Sequence, residues 1–211
     1  MGDLFSMSLR DVLKVSASSE PTPGGGSIAA ITAAFAASMV AMVANLTIGK
    51  KKYRDVEAQV TSLRDRALCL MNRAEELVDA DMAQFRRFMD CYKMPASTDQ
   101  ERERREHLIQ EALKGATDTP LEIARTCLEV LKMADEIAPI GNAMAVSDAG
   151  VACHLADAAL RAALLNVDIN LPQLKDESYV MFARISKEGL LNQATELKEH
   201  ALKVISARIA G

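Results

Sequence analysis

Residues 56–88 read VEAQVTSLRDRALCLMNRAEELVDADMAQFRRF. Val56, Val60, Leu63, Ala67, Leu70, Ala74 and Leu77 follow one another at steps of 4, 3, 4, 3, 4 and 3. That is the period of one buried helix face. The next step of four lands on Asp81 and the one after it on Phe85, with Phe88 following. A carboxylate therefore interrupts an apolar stripe, where burying its charge is costly unless partners compensate. Two readings follow. In the first, the 3.6-residue period drifts against the heptad, so Val78 and Met82 take the core and Asp81 sits at its edge. In the second, Asp81 lines a polar pocket between helices, its proton affinity raised by desolvation or lowered by a nearby cation. It is then a candidate acid or base. Asp79 points to another face and is read as solvated.

Working outward, helical patterning continues in both directions. Strand alternation and hairpin signals are missing. A short helix is expected from Met7 to Ser18, and a second from the glycines to Gly49, a natural C-terminal residue. The stretch above predicts a third helix from Tyr53 to Lys93, stopped before Pro95. Thr98 and Glu101 form a capping box that opens a helix ending at Gly115. Thr119, Pro120 and Glu122 repeat the device. Pro139 and Gly141 end that helix; others are expected from Asn142 to Asn166 and from Asp176 to Ile209. With no repeat or linker in view, residues 1–211 read as one all-α domain, an up-and-down bundle of long helices.

EPTPGGGSIAA, residues 20–30, places three glycines where the second helix begins. Each costs about 1 kcal/mol against alanine inside a helix. They suit either a close helix crossing or a site where bare backbone approaches a flat ligand and free N–H groups hold an oxygen. Ile28–Ile48 is 21 residues without a charge, followed by Lys50, Lys51 and Lys52, a length and flank that fit a membrane span. Eight of those residues are alanine, and Thr32, Ser38, Asn45 and Thr47 break the rest, so a helix buried in protein is favoured and no membrane partner is expected. The lysines read as a solvated loop beside a helix C-terminus or as a docking patch for an anion. Arg86 and Arg87 fall on the wet face of the third helix.

A net charge of −4 with a pI near 5.5 argues against a general nucleic-acid binder. Cysteines at 69, 91, 127 and 153 and histidines at 107, 154 and 200 show no zinc spacing, and no metal site is expected. Reduced thiols and a cytoplasmic location are the expectation. The N-terminus lacks a basic region followed by an apolar block, so no signal peptide is expected. Ala145, Ala149, Ala152, Ala156, Ala159 and Ala163 form a seam that permits close helix packing within a subunit or across a dimer interface. Asn142, Ser147 and Asp148 stand in the first turns of the same helix, where they can be caps. His154 reads as an ordinary satisfied histidine.

Several motifs then occur in a distinctive order: PTPGGGSIAA, NLTIGKKKY, LVDADMAQF, KMP followed by ERERRE, TPLEIA, GNAMAVSDAGVA and NVDIN. Together, over about residues 7 to 190, they resemble the cyclodeaminase/cyclohydrolase family. That family includes the C-terminal domain of the bifunctional formiminotransferase–cyclodeaminase and stand-alone bacterial methenyltetrahydrofolate cyclohydrolases. The resemblance implies an all-α fold, a homodimer or dimer-based assembly and a folate substrate of one-carbon metabolism, with no cofactor beyond that tetrahydrofolate. It implies that Asp81 is the catalytic residue. Pro23, Gly24, Gly25, Gly26 and Ser27, with Lys50, Lys51 and Lys52, Asn142, Ser147 and Asp148, and Asn166 and Asn170, are implied as substrate-binding walls. NLTIGKKKY is most similar to the stand-alone hydrolases, and no formiminotransferase portion is present in the sequence, which favours hydrolysis of the methenyl compound; ammonia release from the formimino compound is the alternative. A rival of another class is a non-enzymatic interaction module that assembles through the alanine seam.

Overall fold

Six α-helices carry the chain: α1 (Leu9–Ser16), α2 (Gly25–Thr47), α3 (Glu57–Tyr92), α4 (Asp99–Ile137), α5 (Val146–Asn170) and α6 (Glu177–Ala210). The structure is a computed structural model that describes residues 4–210; Met1–Asp3 and Gly211, the ends of the expected 1–211 span, lie outside the described residues. Among the described residues there is no strand. Short 3-10 turns at Lys51–Val56, Ala143–Ala145 and Leu171–Gln173 lead into or out of the long helices.

α2 packs on α3 and α5, α4 packs on the same two, and α6 lies across α4 and α5. The core is thus a four-helix square with α6 as an outer buttress. α2 and α5 run antiparallel, since Gly25 lies beside Asn166 while Gly141, just before α5, lies against Val43. Buried alanines on α2 (Ala29, Ala30, Ala33, Ala36, Ala37 and Ala44) let the neighbouring backbones come close. α2 and residues 143–173 are long and apolar enough to cross a membrane, yet 61% and 56% of their most apolar windows are buried inside the protein. Most of that apolarity is spent on the core, as α2's alanines imply.

The helix ends obey local chemistry. The Glu101 N–H donates to Thr98 Oγ1 at 3.2 Å while Glu101 Oε2 accepts from the Thr98 N–H at 3.0 Å, completing the expected capping box. Gly49 ends the α2 turn with φ of 75°, where a side chain would be strained.

One expected boundary is overturned. Residues 98–138 do not divide at Gly115; α4 runs unbroken through Pro120. Pro120 has no N–H to offer the Ala116 carbonyl one turn back. Asn170 Nδ2 donates to that carbonyl instead, at 2.9 Å. The Thr119 hydroxyl donates back to the Gly115 carbonyl at 3.2 Å rather than capping a new helix. A long-range partner thus repairs what local pattern reads as a break. The sixth expected helix also extends to Asn170, four residues beyond Asn166.

The alanine seam of α5 faces inward: Ala145, Ala149, Ala152, Ala156, Ala159 and Ala163 are all buried within the subunit. It serves the bundle and leaves nothing for assembly. Asp157 stands among these alanines at 4% exposure; it accepts from Arg161 Nε at 2.8 Å and Lys198 Nζ at 2.6 Å, which pins α6 to α5.

Candidate functional site

Both readings of Asp81 hold in part. Val78 and Met82 are buried and take the core, and Asp81 is half-buried at the edge of the face. Yet that edge abuts the start of α2. The Ser27 hydroxyl donates to Asp81 Oδ2 at 2.7 Å, and Ser27 is itself fully buried. Opposite the carboxylate is Gly26, where a Cβ would lie 2.7 Å from Cγ and 2.9 Å from Oδ2. Any side chain there would drive the carboxylate out, which gives the last glycine of the run its physical reason.

Burial pushes the Asp81 carboxyl above the usual carboxylate range, opposed by the hydrogen bonds from the Ser27 side chain and backbone. Among the described residues no Lys or Arg is paired with it. The acid is held next to the N-terminal end of α2, which favours negative charge, but it has no formal counter-charge. An electron-rich oxygen pair that is desolvated and lacks a cation is suited to meet a cationic ligand, or to take and return a proton.

Around this acid the structure gathers part of the expected set. Pro23 is buried, its peptide bond from Thr22 is cis, and Gly24 is the N-terminal cap of α2. Gly25 faces the Asn166 amide, which a Cβ would meet at 3.7 Å. Asn166 Nδ2 donates to the Ala162 carbonyl at 3.1 Å. Asn170 lies a turn further on and is used to repair α4. Two residues that sequence patterning did not assign to the site lie here: Gln84, one turn beyond Asp81, and Gly115 on α4, read there as a helix end, against which the Gln84 amide rests. Gln84's place at i+3 from an interior acid was the available signal.

The remaining expected residues lie at the other end of α2. Asn142 Nδ2 donates to the Leu46 carbonyl and the Asn142 N–H to Thr47 Oγ1, both at 2.8 Å. The Ala143 N–H donates to the Tyr53 hydroxyl at 2.9 Å, which ties Asn142 to the segment of Lys50, Lys51 and Lys52. Ser147 and Asp148 open α5 at this same end. The 23 residues of α2 span about 35 Å at 1.5 Å per residue, so within one subunit these groups do not meet Asp81. An apolar cleft of about 270 Å³ lies along α2 between the two ends, lined by Leu4, Phe5, Ile31, Phe35 and Met71 among others; Asp81 is not part of its lining.

The sequence and the long-helix fold of this chain are matched by known proteins. The family model described as formiminotransferase-cyclodeaminase covers residues 8–188. A methenyltetrahydrofolate cyclohydrolase of Methylorubrum extorquens is 42% identical over 193 residues, 92% of this chain and 93% of that protein. The formimidoyltransferase-cyclodeaminase of Rattus norvegicus is 30% identical over 97% of this chain, which spans only 38% of that longer protein. The crystal structure of a formiminotetrahydrofolate cyclodeaminase from Thermotoga maritima superposes with a TM-score of 0.88 at 27% identity, covering 97% of this chain and 98% of that one. The chain belongs to the formiminotransferase-cyclodeaminase family, in the part that carries the helical cyclodeaminase-like fold.

Proposed function

We propose that this protein hydrolyses methenyltetrahydrofolate to formyltetrahydrofolate, with Asp81 as its acid–base group. The carrying observation is the Asp81 carboxylate itself, desolvated against Gly26 and hydrogen-bonded by Ser27, with no cation of its own. The substrate supplies that cation, since its N–C–N bridge bears a delocalised positive charge. Asp81 stabilises the bridge electrostatically and accepts one proton as water attacks the bridge carbon. One C–N bond then breaks, and Asp81 returns that proton to the departing nitrogen. The remaining O–H proton leaves to solvent as the formyl carbonyl forms. Asp81 thereby ends as it began, and no cofactor beyond the folate enters the scheme. The M. extorquens relative, similar end to end, supports this substrate.

A second reading is ammonia release from formiminotetrahydrofolate. The T. maritima structure, alike over both full lengths, supports it. Here Asp81 would protonate the leaving ammonia while the neighbouring amine, having attacked the formimino carbon, closes the bridge.

The working unit in this reading is a homodimer. Its support is an apolar row on the outside of α2 (Ile28, Phe35, Met42 and Leu46, with Phe35 51% exposed) and exposed Val151, Leu165 and Ile169 on the adjoining α5. A two-fold axis crossing the middle of α2 would set the lysine end of one subunit beside the Asp81 end of its partner. That would bring Lys50, Lys51 and Lys52, with Asn142, Ser147 and Asp148, to the site they do not reach within one chain. The lysines would then face the carboxylates of the folate's glutamate tail.

Loss of methenyltetrahydrofolate absorbance tests the reaction: enzyme should accelerate it well beyond the buffer rate. Appearance of that absorbance from the formimino compound, with ammonia, would select the second reading. Repeating the assay with Phe35→Glu while following mass by light scattering tests the dimer. Halved mass with activity lost supports it; full activity in a monomer rejects it.

A further inference from the structure

Gln84 follows Asp81 by three residues on α3, so the two side chains leave the helix on the same side. Its Oε1 is shielded from solvent and, among the described residues, has no hydrogen-bond partner. Opposite it is Gly115, deep inside α4, where a Cβ would lie 2.6 Å from Oε1 and 3.0 Å from the amide carbon. Gly115 is not among the positive-φ glycines, so the backbone makes no demand for glycine there. Room for the amide does. The arrangement repeats that of the acid one turn earlier: Gly26 of α2 makes way for Asp81, and Gly115 of α4 makes way for Gln84. Ser27 satisfies Asp81, but Gln84 Oε1 accepts nothing. A buried unpaired acceptor and an interior helix glycine are each destabilising, and both are found at one side chain beside the acid.

We propose that Gln84 is a substrate-binding residue that orients the reduced pterin over Asp81; this rests on the folate reading above. Gln84 is half-buried, so the residue is not sealed off from the surface, and its terminal torsion is soft. Rotation away from Gly115 lets Oε1 accept a ring N–H of the pterin while Nε2 donates to a neighbouring ring oxygen or nitrogen. A reduced pterin presents such donors and acceptors side by side along its edge, which a carboxamide matches and a carboxylate or an alkyl group does not. The bound edge fixes where the bridge carbon lies relative to the acid.

The test compares Gln84→Leu, Gly115→Ala and the double variant with wild type in the full chain, measuring KM, kcat and thermal midpoint with methenyltetrahydrofolate. For Gln84→Leu, KM should rise about tenfold or more, while the midpoint holds or rises because an unpaired acceptor has been removed. Gly115→Ala should raise KM similarly, since its Cβ displaces the amide, and the double variant should be no worse than Gln84→Leu alone. A KM within about twofold of wild type for Gln84→Leu, set against the tenfold effect expected of a lost substrate hydrogen bond, overturns the role and leaves the folate reading standing. So does a fall in midpoint that accompanies lost activity, which would mark packing alone. A wild type that turns over neither folate overturns both.

Discussion

Asp81 and Asp157 are both aspartates set into apolar helix faces, and the molecule treats them in opposite ways. Asp157 is almost wholly enclosed and accepts from two cations, Arg161 and Lys198. Every oxygen has a charged partner of its own, and the result is a lock between α5 and α6. Asp81 is less enclosed but has only the Ser27 hydrogen bonds and a glycine opposite. Interior carboxylates therefore do not announce function by burial alone. What separates them is whether the protein supplies the counter-charge. Where it does, the acid is architecture; where it withholds one, the acid is left for a ligand to complete.

Substitution at Asp81 and at the lysine paired with Asp157 should separate the two roles. Asp81→Asn should stay folded and helical, with turnover of methenyltetrahydrofolate reduced at least about a hundredfold; near-normal turnover would remove Asp81 from the chemistry. Lys198→Met should do the reverse. It leaves Asp157 with Arg161 alone, and because Lys198 is partly exposed the expected loss is about 1–3 kcal/mol in denaturant unfolding. Its kcat should match wild type, and a kinetic defect without a stability loss would erase the distinction.

The smallest effect is in pH dependence. Burial raises the native Asp81 pKa above its unfolded value, so the native state binds more protons across that window. The contribution to stability is then fully present below the ordinary carboxylate range and is lost as pH rises through the raised native value. Asp81→Asn should therefore melt at or above the wild-type temperature at neutral pH, and the gap should close on acidification. A gap that widens on acidification would mean that Asp81 is held as a stabilised anion.

How much could be read in advance differs by residue for physical reasons. The 4-3 spacing of α3 marked both the helix and the misfit at Asp81, because periodicity reports which face is buried. It did not tell whether the acid would face an empty edge or another helix. The glycine run was legible as an anomaly, whereas Gly115 was misread as a helix end. Glycine costs the same in a helix whether it ends one or makes room for a neighbour, and only the Gln84 amide opposite distinguishes the cases. Pro120 was misread for a similar reason, since the bond from Asn170 to the Ala116 carbonyl that repairs it crosses 54 residues of chain.

The helical class, the Thr98–Glu101 capping box and the apolar faces that fold the helices were determined by the sequence by itself, because each depends on residues within a few turns of one another. Tertiary structure alone decided that Gly26 and Ser27 close on Asp81, that the alanines of α5 are used inside the subunit, and that the lysine end of α2 stands far from the acid. Those outcomes depend on which helices meet and in which direction they run, and local spacing carries no information about either.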